Sequence, residues 1–131
     1  MIVHQLSIAF SSTKPIDIRV TVNQVVSNFV CDVNTTFKFP IDPLVPNCIQ
    51  IETLTPDVAC NIDRVGLNSL DLEPVLHIIT RTYAKQDRSL LGQFVRDIYS
   101  PDLAVIDMTD NFYQFIYPFF KKDDIKLVPP V

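Results

Sequence analysis

Glycine is the scarcest structural residue in this chain: 131 residues carry only Gly66 and Gly92. Loops that wrap phosphates need backbone conformations that glycine alone adopts cheaply, so dinucleotide and P-loop binding are set aside. Tryptophan is absent, and the cysteines Cys31, Cys48 and Cys60 are three widely spaced residues with no C-x-x-C pair and no histidine at zinc spacing. They read as buried free thiols of a reducing compartment. Positive charge is also short, with a net charge of −4. Nucleic-acid binding rests on Lys and Arg neutralising phosphates, so nucleic acid is not an expected partner. No apolar run approaches the roughly 20 residues that span a bilayer. The start, MIVHQLSIAF, lacks the cationic and apolar regions of a signal peptide. No membrane partner is expected, and outside a virion the expected location is the cytoplasm.

What is present is apolar residues at 47% and charged residues at 20%, the balance of a folded chain. The length suits one domain. Ten prolines against two glycines mean that turns are built from Pro, Asn and Asp, as in FPIDPLVPN.

The clearest periodic signal is IDIRVTV, where Ile16, Ile18, Val20 and Val22 alternate with Asp17, Arg19 and Thr21. A period of two marks a strand with one buried and one wet face. SNFVCDV continues it across Asn23-Gln24, a hairpin corner. TTFKF is expected to stop at Pro40, because Pro40, Pro43 and Pro46 crowd the next segment and proline lacks the ladder donor. NCIQIETL turns Ile49 and Ile51 inward, and PVLHIITRTY reads as a β-branched strand. Seven or eight short strands at this spacing predict an all-β fold, an antiparallel, jelly-roll-like β-sandwich. One short helix is expected, because Leu90, Leu91, Phe94, Val95, Ile98 and Tyr99 follow a helical stripe in DRSLLGQFVRDIYSPD, with Asp87 or Ser89 as cap and Pro101 as stop. The single domain spans 1–131, with a core of 1–121 and an extended C-terminal arm of 122–131.

Chemistry is weakly signalled. His77 and Arg81 share a strand face at a separation of roughly 13 Å, too far to cooperate, and read as an exposed pair. His4 has no evident partner. Serines lack the G-x-S-x-G setting, so no catalytic residue is assigned and no enzyme is expected. Asp42, Asp57, Asp63 and Asp71 lie in or near loops and have the chemistry of calcium ligands, but without an EF-type spacing they read as solvated turn formers, so no metal site and no cofactor are assigned.

The order IRVTVNQVVSNFVCDVNTTFKFPID, PNCIQIETLTPD and DRVGLNSLDL, from Ile18 to Leu72, resembles the calcium-dependent carbohydrate-binding modules with a jelly-roll sandwich. The resemblance implies that fold and, as an alternative function, calcium-assisted sugar binding. In such modules exposed aromatics stack on sugars, whereas the aromatic cluster here lies outside the resembling half.

That cluster is the remaining feature. NFYQFIYPFF holds six of the chain's aromatic residues beside the C-terminus. As a strand it would place Phe112, Gln114, Ile116 and Pro118 on one face and Tyr113, Phe115, Tyr117 and Phe119 on the other. A doubly apolar strand needs a cover on its second face, and tyrosines with a polar handle are enriched at interfaces. The expected interface is Tyr113, Phe115, Tyr117, Phe119 and Phe120, with Leu127, Val128, Pro129 and Pro130 of the proline-stiffened tail as a docking arm. These features lead to a non-enzymatic structural subunit of a multi-protein assembly. The expected kind is a virion component such as a phage capsid decoration protein or a tail or head-completion protein.

Overall fold

Alternating segments become strands wherever one face alone can be buried. The computed structural model describes residues 3–120. Their strands are β1 (His4–Ser11), β2 (Ile16–Val22), β3 (Val25–Cys31), β4 (Asn34–Ile41), β5 (Asn47–Thr53), β6 (Cys60–Leu67), β7 (Leu70–Asp71), β8 (Thr80–Ala84), β9 (Leu90–Gly92), β10 (Asp97–Ile98) and β11 (Asp102–Met108). Two helices, α1 (Leu76–Ile79) and α2 (Phe112–Ile116), complete the set.

All pairings are antiparallel. One sheet runs β10-β6-β1-β4, with β7 on the other end of β6, and the second runs β3-β2-β5-β11-β8-β9. The chain changes sheet between β1 and β2, β3 and β4, β4 and β5, β5 and β6, β7 and β8, β9 and β10, and β10 and β11. The fold is an all-β sandwich, and its core forms where the two inner faces meet. Leu6, Ile8 and Phe10 of β1 face Ile18, Val20, Ile49 and Ile51 of β2 and β5, all essentially without exposure. Asn23 and Gln24 both have positive φ, at 50° and 75°, so β2 and β3 join through a two-residue turn of the mirror-image type that strand twist favours.

Four local expectations differ from the structure. First, β4 continues through Pro40 to Ile41, with Pro40 opposite Gln5. It is an outer strand, where a proline can be accommodated. Second, the Leu90–Tyr99 stripe is not helical. Leu90–Gly92 pairs with β8 and Asp97–Ile98 pairs with β6. A helix this short is marginal in water, and a turn pre-empts it: Ser89 donates through its N–H and its hydroxyl to Asp87, and Arg88 takes φ 60°. Only Ile98 of the stripe is fully buried. Third, PVLHIITRTY opens with a 3-10 turn (Glu73–Val75) and α1 before it extends as β8. Pro74 enters the first turn, where its missing N–H costs nothing. Fourth, NFYQFIYPFF is a helix followed by a 3-10 turn (Tyr117–Phe119) and not a strand. Pro118 supplies no ladder donor, and Phe112 and Ile116, four apart, both reach the core from a helix but not together with Gln114 and Pro118. The arm 122–131 lies outside the described residues.

Candidate functional site: an aromatic helix at the end of the sandwich

Met108 ends β11 opposite Asn47, the first residue of β5. The chain therefore leaves the second sheet where the loop 42–46 also lies. That loop is held firmly. Asp42 Oδ1 accepts the Leu44 N–H at 2.9 Å, and the buried Asn47 donates through Nδ2 to the carbonyls of Asp42 (2.9 Å) and Val45 (3.0 Å). Asn47 Oδ1 accepts from Asn23 Nδ2 at 2.7 Å, and Asn23 Oδ1 accepts the Cys48 N–H at 2.8 Å. One amide network thus ties the β2–β3 turn to the β4–β5 loop.

On this platform α2 is seated through its backbone. Asn111 adopts φ 50°, a left-handed conformation that asparagine tolerates, and turns the chain into the helix. Its N–H donates to the Leu44 carbonyl at 3.2 Å, and the Phe112 N–H donates to the Pro43 carbonyl at 3.0 Å. Two donors that a helix start leaves unpaired are satisfied by the loop. Phe112 and Ile116 then project into the core with no exposure. Tyr113 is half-buried and meets His4: its hydroxyl lies 2.8 Å from His4 Nδ1, and the ring centroids are 5.3 Å apart. Burial lowers the pKa of His4, with Asp42 opposing the shift, and burial raises that of Tyr113. Burial thus favours the neutral form of both groups, and the hydrogen bond between them carries no net charge.

The other rings point outward. Phe115, Tyr117 and Phe119 are 39%, 48% and 45% exposed, and Leu44 and Val45 of the loop are exposed beside the helix start. The rings of Phe112, Phe115 and Phe119 follow one another at centroid separations of 6.4 and 6.3 Å, a chain of aromatic contacts from core to surface. A cleft of about 210 Å³ lies between helix and loop, lined by Pro43, Leu44, Asn111, Phe112, Tyr113 and Gln114.

The expected interface is therefore divided. Phe115, Tyr117 and Phe119 are each exposed, Tyr113 is turned to His4, and Phe120 is half-buried against the core. Leu127, Val128, Pro129 and Pro130 lie outside the described residues. Pro43, Leu44 and Val45 carry no functional signal in the sequence, where their proline-rich setting indicates only a turn, and the partner of His4 lies 109 positions away, beyond any local pattern.

The remaining candidates stay apart. His77 is exposed on α1, and Arg81 Nη1 donates to the carbonyls of Ile78 and Thr80, both at 2.9 Å, so Arg81 closes the end of α1. Asp42 holds its own loop, Asp63 accepts from Ser11, and Asp71 accepts the Glu73 N–H and pairs with Arg64. Among the described residues no three His, Cys, Asp or Glu side chains converge as a metal site. All three cysteines are free thiols, with Cys31 and Cys60 in the core, where burial pushes Cys60 up to about 12. No helix among the described residues is long and apolar enough to cross a membrane. Comparison of the chain with protein-family models, with curated proteins and with solved structures finds no match in any of the three.

Proposed function

We propose that this protein is a non-enzymatic structural subunit of a multi-protein assembly that docks on other subunits through the α2 surface. The observation that carries the reading is the outward display of Phe115, Tyr117 and Phe119 on a segment anchored by two backbone hydrogen bonds and two core residues. The three rings expose roughly 250 Å² of surface, comparable to the largest apolar patch on a typical monomer, which is often functional. Rigid aromatics lose little entropy on docking, which suits them to be anchors. The setting we favour is a virion, where small β-sandwich proteins of this kind decorate capsids or complete heads and tails.

The test is light scattering of the purified full chain beside a Tyr117→Ser, Phe119→Ser variant. Covering two half-exposed rings stabilises a complex by at most about 4 kcal/mol, of which only part appears as affinity. The variant is expected to associate at least about tenfold more weakly, with an unchanged thermal midpoint. A monodisperse monomer that is retained on a polysaccharide in a calcium-dependent manner would replace this reading with the carbohydrate-binding one.

A further inference from the structure

Open sheet edges invite pairing with other chains, and proteins normally blunt them with charge, proline, bulges or brevity. Here β9 has three residues, β7 and β10 have two each, and β4 carries Lys38 and Pro40. The exception is β3. Its sequence, VVSNFVC, is seven residues without charge, proline or glycine, paired to β2 over its full length with no bulge. From Val20 to Cys31 no residue is charged.

The register decides which backbone groups of β3 are free. A two-residue turn makes Val22 and Val25 a hydrogen-bonded pair, so Val20–Ser27, Ile18–Phe29 and Ile16–Cys31 also exchange both bonds. Val26, Asn28 and Val30 then direct their N–H and C=O groups away from β2. The side chains of Val26 and Val30 are both 54% exposed. Asn28 Oδ1 is engaged by Arg19 Nε at 3.1 Å.

We propose that β3 pairs antiparallel with β3 of a second copy about a twofold axis at Asn28, joining the two six-stranded sheets into one. In that register Asn28 faces Asn28, and Val26 faces Val30 in both directions. About six backbone hydrogen bonds form from groups that have no partner among the described residues. Two copies each carrying a net charge of −4 repel one another, and the uncharged strip is where they can approach at least electrostatic cost. The arrangement is self-complementary, as a twofold contact requires, so a second copy fits the edge without any further feature. Seven residues a side fall short of the roughly 20 to 30 of a standard interface, so the dimer is reversible and concentration-dependent. The contact uses residues separate from the α2 surface and stands independently of the assembly reading.

The test is sedimentation of the full chain up to roughly 1 mM, where weak contacts populate. The expected species has twice the 14.9 kDa of the monomer and dissociates on dilution. Val26→Lys with Val30→Lys, and separately Asn28→Pro, are expected to be monomers. In a Cys48→Ser background, Asn28→Cys is expected to form an intermolecular disulfide on oxidation, while Lys38→Cys on the β4 edge is not. The cross-link decides the matter if the lysine or proline variants fail to fold. The Tyr117→Ser, Phe119→Ser protein is expected to retain this dimer. A monomer at the highest concentration, a dimer that survives the lysines, or equal cross-linking at position 38 would overturn the proposal.

Discussion

Three threonines are fully buried in the sandwich, and they differ in one respect. Thr53 donates its hydroxyl to the Ile98 carbonyl at 2.8 Å, whereas the hydroxyls of Thr80 and Thr82 on β8 have no partner among the described residues. An unpaired hydroxyl in an apolar setting costs about 1–3 kcal/mol by mutational measures. Valine has nearly the same shape, and a higher β propensity, so Thr82→Val removes the penalty without opening a cavity. The expected gain is about 1–2 kcal/mol, which for a domain of this size raises the thermal midpoint by roughly 3–8 °C. Thr53→Val is expected to do the reverse, losing about 1 kcal/mol because the Ile98 carbonyl is left unpaired. Urea unfolding reads both: the midpoint moves up for one variant and down for the other, at an unchanged slope. Thr80 and Thr82 project from the same strand face, so a Thr80→Val, Thr82→Val cycle shows whether their penalties are independent. If Thr82→Val destabilises as Thr53→Val does, the hydroxyl has a partner such as an enclosed water, and the account of β8 as a dry strand is wrong.

Val33, between β3 and β4, holds φ 76°, a conformation that a β-branched residue reaches only under strain. The residue is exposed, so Val33→Asn gives up little packing and is expected to stabilise by roughly 1 kcal/mol, and a lowered thermal midpoint would refute the strain. His4 sets a pH dependence. Its folded pKa is lowered by burial, so the unfolded chain binds the proton more readily, and stability is complete above about pH 6.5 and declines as pH falls below it. Urea midpoints between pH 7.5 and 5 are expected to fall for the parent chain and to fall less for His4→Gln, and identical profiles would exclude His4 as the cause.

The strands of the first half were legible because burial of one face is enough to specify them. Ile16, Ile18, Val20 and Val22 are all buried, while Asp17 is exposed and Arg19 and Thr21 are partly exposed, as their alternation requires. The aromatic segment was not legible in that way. Phe112 and Ile116 fit a period of two and a period of 3.6 equally well, and nearly every other position is apolar, so hydrophobic pattern alone does not choose. Pro118 was the deciding local signal, since a proline excludes a central strand. The Leu90–Tyr99 stripe failed for the opposite reason. Its helical period was good, but Asp87, Arg88 and Ser89 close a tight turn, and pairing with β8 and β6 satisfies more backbone than an isolated short helix does. The contact between Tyr113 and His4 joins opposite ends of the chain, and no local pattern encodes it.

Topology explains why the segment after β11 turns into a helix of this kind. In the second sheet β11 lies between β5 and β8, with both of its edges already paired. The segment that follows Met108 has no vacant neighbour beside it, and continuing as a strand would require travelling to an outer edge. The loop 42–46 is already rigid at this end and offers the carbonyls of Pro43 and Leu44. Turning at Asn111 and docking there satisfies two backbone donors and buries Phe112 and Ile116 at once. A five-residue helix and the 3-10 turn after it can bury only one narrow side of an almost wholly apolar sequence, which is why Phe115, Tyr117 and Phe119 remain outside. The same economy leaves β3 open, since none of the described chain after β11 returns to pair with it. The exposed rings and the bare edge thus share a structural origin among the described residues, in that β11 is central and the segment 109–120 after it closes the end of the sandwich instead of its side.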